Sequence, residues 1–195
     1  MIRHYLLILI LFSIVFASKA QTAGEVYDDY LDFNLARFQG EKDKISDLGE
    51  KIIPNAAKLP DKARVNFYCS IAKVYEDENQ AIKAIFYYEK VVEAEPKYYV
   101  AHRALGYLYL AKAKEIEASL NNSATNKDVK LNEDYLLTVN KALPHLEKAQ
   151  ACEPDENTLK EIKLLYKNID DTERLKNLPD KLLFLSKDCI DILTD

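Results

Sequence analysis

The feature that most restricts the fold is an internal repeat in the middle of the chain. Two stretches carry bulky, small and proline positions in the same order. The first consists of Tyr68, Ile71, Ala72, Tyr75, Ala84, Tyr88, Val91 and Pro96. The second consists of His102, Leu105, Gly106, Tyr109, Ala142, Leu146, Ala149 and Pro154. A repeated order of residue types is typical of structural units that stack and bury a shared core.

Within each stretch the pattern predicts two helices in close contact. Small residues such as Ala72 and Gly106 let two helices approach closely, and bulky residues fill the space around them. Pro96 and Pro154 end the second helix of each unit, because proline cannot continue its hydrogen-bond ladder. Glycine occurs only four times and good helix formers are plentiful, which favours an all-α chain.

This pattern resembles the tetratricopeptide repeat (TPR), in which a large aromatic residue, Leu-Gly, Tyr, Ala, Phe, Ala and Pro recur over 34 residues. The resemblance implies a short α-solenoid of stacked antiparallel helix pairs. Residues 65–98 have the family length, whereas residues 99–154 contain about 24 additional residues.

The additional residues predict an elongated helical hairpin. Residues 110–120 continue a helical pattern, residues 121–130 read as a polar turn, and residues 131–141 are helical again. Each helix would contain about 22 residues and measure ~33 Å. The projecting segment is either a docking element or a neutral variation in length.

Degenerate helix pairs are expected at both sides of the two clear units. Residues 21–64 predict an eroded N-terminal pair, and residues 155–195 predict a capping pair whose last helix runs from about Thr172 to the end. Pro54, Pro144 and Pro179 each either kink or begin a helix.

Residues 1–20 have the composition of a secretory signal peptide. A basic start is followed by an apolar run from Leu6 to Ala17 and by small residues before Gln21. Cleavage is expected after Ala20 or three residues earlier, and an uncleaved signal anchor is the alternative. The run is shorter than the ~20 residues of a membrane span, so we expect an exported, periplasmic or extracellular protein without a stable span after cleavage.

The charge argues against nucleic acid as a partner. The chain has a formal net charge of −5 and no cluster of lysine or arginine, whereas affinity for nucleic acid comes from neutralising phosphates.

Three cysteines follow the signal segment, namely Cys69, Cys152 and Cys189. If the last hairpin turns at Asp170-Asp171, Cys152 lies 18 residues before the turn and Cys189 lies 18 residues after it. These two positions meet in an antiparallel pair, so the spacing predicts a Cys152–Cys189 disulfide, which export would permit.

Catalytic and metal-binding patterns are missing from the sequence. His102 occupies a packing position of its repeat, and His145 has no second histidine at helical spacing. There is no phosphate-binding glycine loop or nucleophile elbow. We therefore expect neither an enzyme nor a bound cofactor or metal ion.

The TPR resemblance implies a concave groove lined by the first helix of each pair. Carried over to this chain, its lining residues include Asn66, Lys73, Arg103, Tyr107, Leu110 and Lys160. The cations among them would form a basic line suited to an acidic segment or a C-terminal carboxylate.

The expected function is protein or peptide binding by an exported scaffold. A structural or adaptor subunit of an envelope assembly, docking through the 110–140 hairpin, is the first alternative. An enzyme with an unrecognised site is the second.

Overall fold

A computed structural model describes residues 21–122 and 129–193 of the chain. Within these ranges the secondary structure is all-α, as the sequence predicts, with eight α-helices and one 3-10 helix. The predicted signal segment and the centre of the predicted polar turn lie outside the described residues. The chain forms two compact units, Met1–Leu59 and Pro60–Asp195.

The first unit contains α1 (Ala23–Gln39), α2 (Lys42–Ile52) and a 3-10 helix (Ile53–Lys58). Thr22 and Glu25 form a capping box at the start of α1, and Gly40 ends the helix at φ 73°, a conformation that suits glycine. Pro54 stands in the first turn of the 3-10 helix, where its missing N–H costs nothing.

The second unit contains three consecutive helix pairs. Their helices are α3 (Asp61–Asp77), α4 (Ala81–Ala94), α5 (Tyr99–Asn122), α6 (Val129–Cys152), α7 (Glu156–Asn168) and α8 (Thr172–Leu185). Each helix packs against its partner in the pair, and α6 also packs against both α7 and α8. None of the described helices is long and apolar enough to cross a membrane.

The elongated hairpin predicted from the sequence is present as α5 and α6, each of 24 residues rather than the expected 22 or so. The helices are antiparallel, because Gly106 near the start of α5 lies against Leu146 near the end of α6. A Cβ on Gly106 would lie only 2.7 Å from Leu146 Cδ2. Ala72, Ala84 and Ala142 are also fully buried, as the predicted close approach of helices at these small residues requires.

Equivalent helices of the last two pairs, α6 and α8, run in the same direction. Asn140 accepts a hydrogen bond from Arg174 at a separation of 34 residues, and Lys148 donates to the Leu185 carbonyl at a separation of 37. Contacts that advance together along both helices require parallel axes. Pro144 and Pro179 stand inside these two helices rather than beginning them.

The end of the chain departs from the expectation of a helix that continues to the last residue. Helix α8 stops at Leu185, and the chain turns so that Ile190 exchanges backbone hydrogen bonds with Lys97 and Tyr99. Cys189 forms the predicted disulfide with Cys152, with Cα atoms 5.6 Å apart. A straight helix would carry the last residues away from Tyr99, so the turn satisfies backbone groups that solvent would otherwise bind.

Candidate functional site

Four polar contacts join α5 to α7 and to the turn that precedes α7. The pairs are Arg103–Glu153, Tyr107–Thr158, Lys114–Glu161 and Glu117–Asn168. Their sequence separations are 50, 51, 47 and 51 residues. Because the separation stays nearly constant, α5 and α7 run parallel and side by side. We call the surface formed by these eight residues and the exposed residues of α7 the first-helix face.

Tyr107 connects α5 to the start of α7 within this face. Its hydroxyl lies 2.6 Å from Thr158 Oγ1, and the Thr158 hydroxyl donates to Asp155 Oδ1 at 2.9 Å. Since the threonine hydroxyl has one proton, Tyr107 must donate to Thr158. Asp155 also accepts from the Thr158 backbone N–H at the start of α7, and this hydrogen bond lowers the pKa of Asp155. Tyr107 therefore holds α7 in place as well as lining the face.

Two of the three cations in the predicted basic line are already paired. Lys73 lies 2.9 Å from Asp77 and 3.4 Å from Glu76, and its hydrogen bond to Asp77 raises its pKa. Arg103 forms an ion pair with Glu153 and lowers the pKa of that carboxyl. Lys73, Arg103 and Lys160 therefore do not form a continuous line of unpaired positive charge.

Of two other residues predicted to line the groove, one is buried and one borders a separate small cavity. Leu110 is only 4% exposed, so its side chain belongs to the core and cannot line an open groove. Asn66 is half-buried and borders a small cavity of about 90 Å³, together with Glu95 and Ile190 of the second unit. Residues of the C-terminal segment form much of the wall of that cavity. The groove positions taken from the TPR pattern do not include this segment, so the sequence did not predict the cavity.

Lys160 is exposed as expected, and two further lysines of α7 lie beside it. Lys163 and Lys167 share its side of α7, where they border an open depression of about 530 Å³ with Leu159, Leu164 and the acidic residue Glu156. The spacing of these lysines in the sequence could have predicted that they lie together, since residues separated by three, four and seven positions share one face of a helix. None of the three ammonium groups pairs with a carboxylate in the described part of the chain.

His102 and His145, whose contact the sequence does not predict, touch each other directly. His102 Nδ1 lies 2.9 Å from His145 Nδ1, and His102 Nε2 lies 3.1 Å from the Pro96 carbonyl oxygen. A carbonyl only accepts, so neutral His102 carries its proton on Nε2 and His145 donates from Nδ1. Burial lowers the pKa of both rings, that of His145 to about 4. The pair packs α5 on α6 in its neutral form, which the separation of 43 residues hid from sequence reasoning.

A buried glutamate with two partners on other helices was also missed. Glu147 is fully buried on α6, accepts a hydrogen bond from the Tyr166 hydroxyl and lies 2.6 Å from Lys181 Nζ. Burial raises the pKa of Tyr166. Because the carboxylate accepts a hydrogen bond from a tyrosine of α7 and forms an ion pair with a lysine of α8, these side chains link three helices.

Cys69, the one cysteine outside the disulfide, is half-buried with its sulfur 3.8 Å from the Tyr98 hydroxyl. Among the described residues there is no group of three or more histidine, cysteine or carboxylate side chains placed to hold a metal ion.

A second surface lies at the base of the long hairpin. Residues of α4 and α5 line an apolar groove of about 480 Å³, with Ile82 at 85% and Phe86 at 52% exposure. Leu108 and Ala111 form the other wall, where α5 passes the start of α4.

No family model, curated protein or solved structure shows significant similarity to the chain. The functional argument therefore rests on the residues described above.

Proposed function

We propose that this chain is an exported TPR-type scaffold that binds a protein or peptide through its first-helix face. The observation that carries the proposal is the parallel arrangement of α5 with α7 and of α6 with α8. Successive antiparallel helix pairs must stack in this way to form a solenoid, and their first helices then line one shared surface.

The spacing of the contacts supports the repeat assignment. Asn140 and Arg174 on the second helices are 34 residues apart, which equals the length of a TPR unit. The first helices are about 50 residues apart because the elongated part of the hairpin lies between them. Burial of Gly106 and Ala142 at the helix contact agrees with the role of small residues in that family.

The test is affinity capture of partners from a cell-envelope extract with residues 21–195. A charge-swapped variant, Arg103→Glu with Glu153→Arg, keeps an intramolecular ion pair but inverts the charge pattern of the face. We expect the parent to retain one partner reproducibly and the swapped variant to lose most of it. Equal capture by both proteins would argue against binding through this face.

The structural-subunit alternative is supported by the apolar groove beside the hairpin. Removing residues 118–133 and closing the gap with a short glycine-serine turn shortens both helices while keeping the contacts of α5 with α7. Binding through the first-helix face should survive this deletion, whereas assembly through the projecting part of the hairpin should be lost.

A further inference from the structure

One exposed side of α7 combines positive charge with an apolar side chain. Lys160, Lys163 and Lys167 lie at positions i, i+3 and i+7, so they share one side of the helix over ~10 Å. Leu164 is 46% exposed and lies four residues after Lys160 and three before Lys167. We call these four residues the lysine face.

The lysines of the lysine face differ from two cations on the neighbouring helix α5, which have internal ion pairs. The nearby cation Lys114 pairs with Glu161 at 2.7 Å, and Arg103 pairs with Glu153. No carboxylate in the described part of the chain lies within ion-pair distance of the three lysines, although the whole protein carries a net charge of −5. Three like charges on one helix side repel one another and are stabilised by an anionic partner.

From this juxtaposition we infer that the lysine face binds an acidic amphipathic segment of the partner protein. Carboxylates of that segment contact the lysines, and an apolar side chain between them covers Leu164. A helical segment with acidic residues one turn before and after a leucine matches the spacing on α7. The inference rests on the proposed scaffold function and specifies the chemistry of its partner.

The structure favours a protein segment over an anionic membrane. The apolar side of α7 is occupied by core residues, with Ile162 and Tyr166 fully buried, so the helix has no large apolar face to insert between lipids. The net negative charge of the protein would also repel an anionic membrane and oppose the attraction of the three lysines.

The test uses a synthetic, end-capped and fluorescently labelled 15-residue peptide with glutamates flanking leucines at helical spacing. Its binding to residues 21–195 is measured by fluorescence anisotropy at low and at physiological salt. We expect a micromolar dissociation constant that rises with salt, because exposed charges are screened. The double variant Lys160→Glu, Lys167→Glu should weaken binding at least tenfold.

The matched control is Lys112→Glu with Lys176→Glu, which changes the net charge equally at two exposed lysines outside the lysine face. The control should bind within about twofold of the parent. Equal weakening in both variants would show that only the net charge matters and would overturn the inference. Absence of peptide binding to the parent protein would also overturn it. A leucine-to-serine peptide should bind several-fold more weakly, and an unchanged affinity would contradict the role of Leu164.

A parallel arm uses vesicles of phosphatidylglycerol and phosphatidylcholine. Vesicle binding that depends on Lys160 and Lys167, without binding of the peptide, would assign the face to membranes and overturn the inference. If the Lys160→Glu, Lys167→Glu variant still captures its partner from extract, the inference fails while the scaffold function stands.

Discussion

The contact between Gly106 and Leu146 gives the sharpest stability prediction. A Cβ on Gly106 would lie 2.7 Å from Leu146 Cδ2, 2.9 Å from Cγ and 3.0 Å from the backbone nitrogen. Leu146 is fully buried, so its side chain cannot move into solvent. Overpacking costs about 1–3 kcal/mol, whereas replacing a helical glycine by alanine gains about 1 kcal/mol. Gly106→Ala should therefore destabilise the protein by about 0–2 kcal/mol.

A double-mutant cycle isolates the contact. Leu146→Ala alone should cost about 2–5 kcal/mol through loss of packing. In that background the two closest clashing atoms are gone, so Gly106→Ala should become neutral or stabilising by up to about 1 kcal/mol. The expected coupling is thus about 1–3 kcal/mol in favour of the double variant.

The free energies of unfolding are measured by urea titration, followed by circular dichroism at 222 nm. Gly24→Ala is the control, because a Cβ there would meet only Thr22 Oγ1, at 4.0 Å; it should leave stability unchanged or raise it. If Gly106→Ala stabilises the parent as much as it stabilises the Leu146→Ala variant, the helix contact is not the one described.

Three further predictions concern the links between helices. Burial lowers the pKa of His145 to about 4 from an ordinary 6.5, so stability falls by about 3 kcal/mol as pH drops from 6.5 to 4, because the unfolded chain then binds the proton more tightly. His145→Gln should flatten this part of a urea-unfolding pH profile, and an unchanged profile would refute the assignment. Replacing Cys152 and Cys189 by serine should lower the free energy of unfolding by about 4 kcal/mol for the 37-residue separation. The same change should speed hydrogen exchange at Ile190, and exchange equal to that of the parent would show that the disulfide does not hold this segment in place. Lys181→Met should cost about 2–3 kcal/mol by leaving Glu147 buried without its cation, and adding Glu147→Gln should recover much of that loss in thermal unfolding, whereas an additive loss would contradict the pairing.

Local pattern explains the part of the fold that the sequence predicted. Apolar periodicity and proline positions depend on residues close in the chain, so the helix pairs and the elongated hairpin followed from them, with the hairpin helices about two residues longer than expected. The Cys152–Cys189 pairing followed because a symmetric hairpin fixes which positions meet. The end of α8 at Leu185 did not follow, since it depends on contacts of Ile190 with Tyr99, far away in sequence.

In the candidate site, too, contacts between residues far apart in the sequence could not be predicted. The pairing of Lys73 with Asp77 was readable from their spacing of four residues, but the pairing of Arg103 with Glu153 spans 50 residues. Leu110 occupies a groove position by family analogy, yet the packing of α5 buries it. The free charge of Lys160 could be recognised only after the other cations had been assigned to their partners.

Site-specific photocrosslinking in cells tests the central claim most directly. A photoreactive amino acid is placed at Asn157 beside the lysine face, at Leu137 on the hairpin, or at Asp47 on α2, all of which are exposed. The account predicts one discrete protein adduct from position 157 and none from position 47. Adducts from position 137 alone would transfer binding to the hairpin, and no adduct from any position would contradict a scaffold that works by binding a protein.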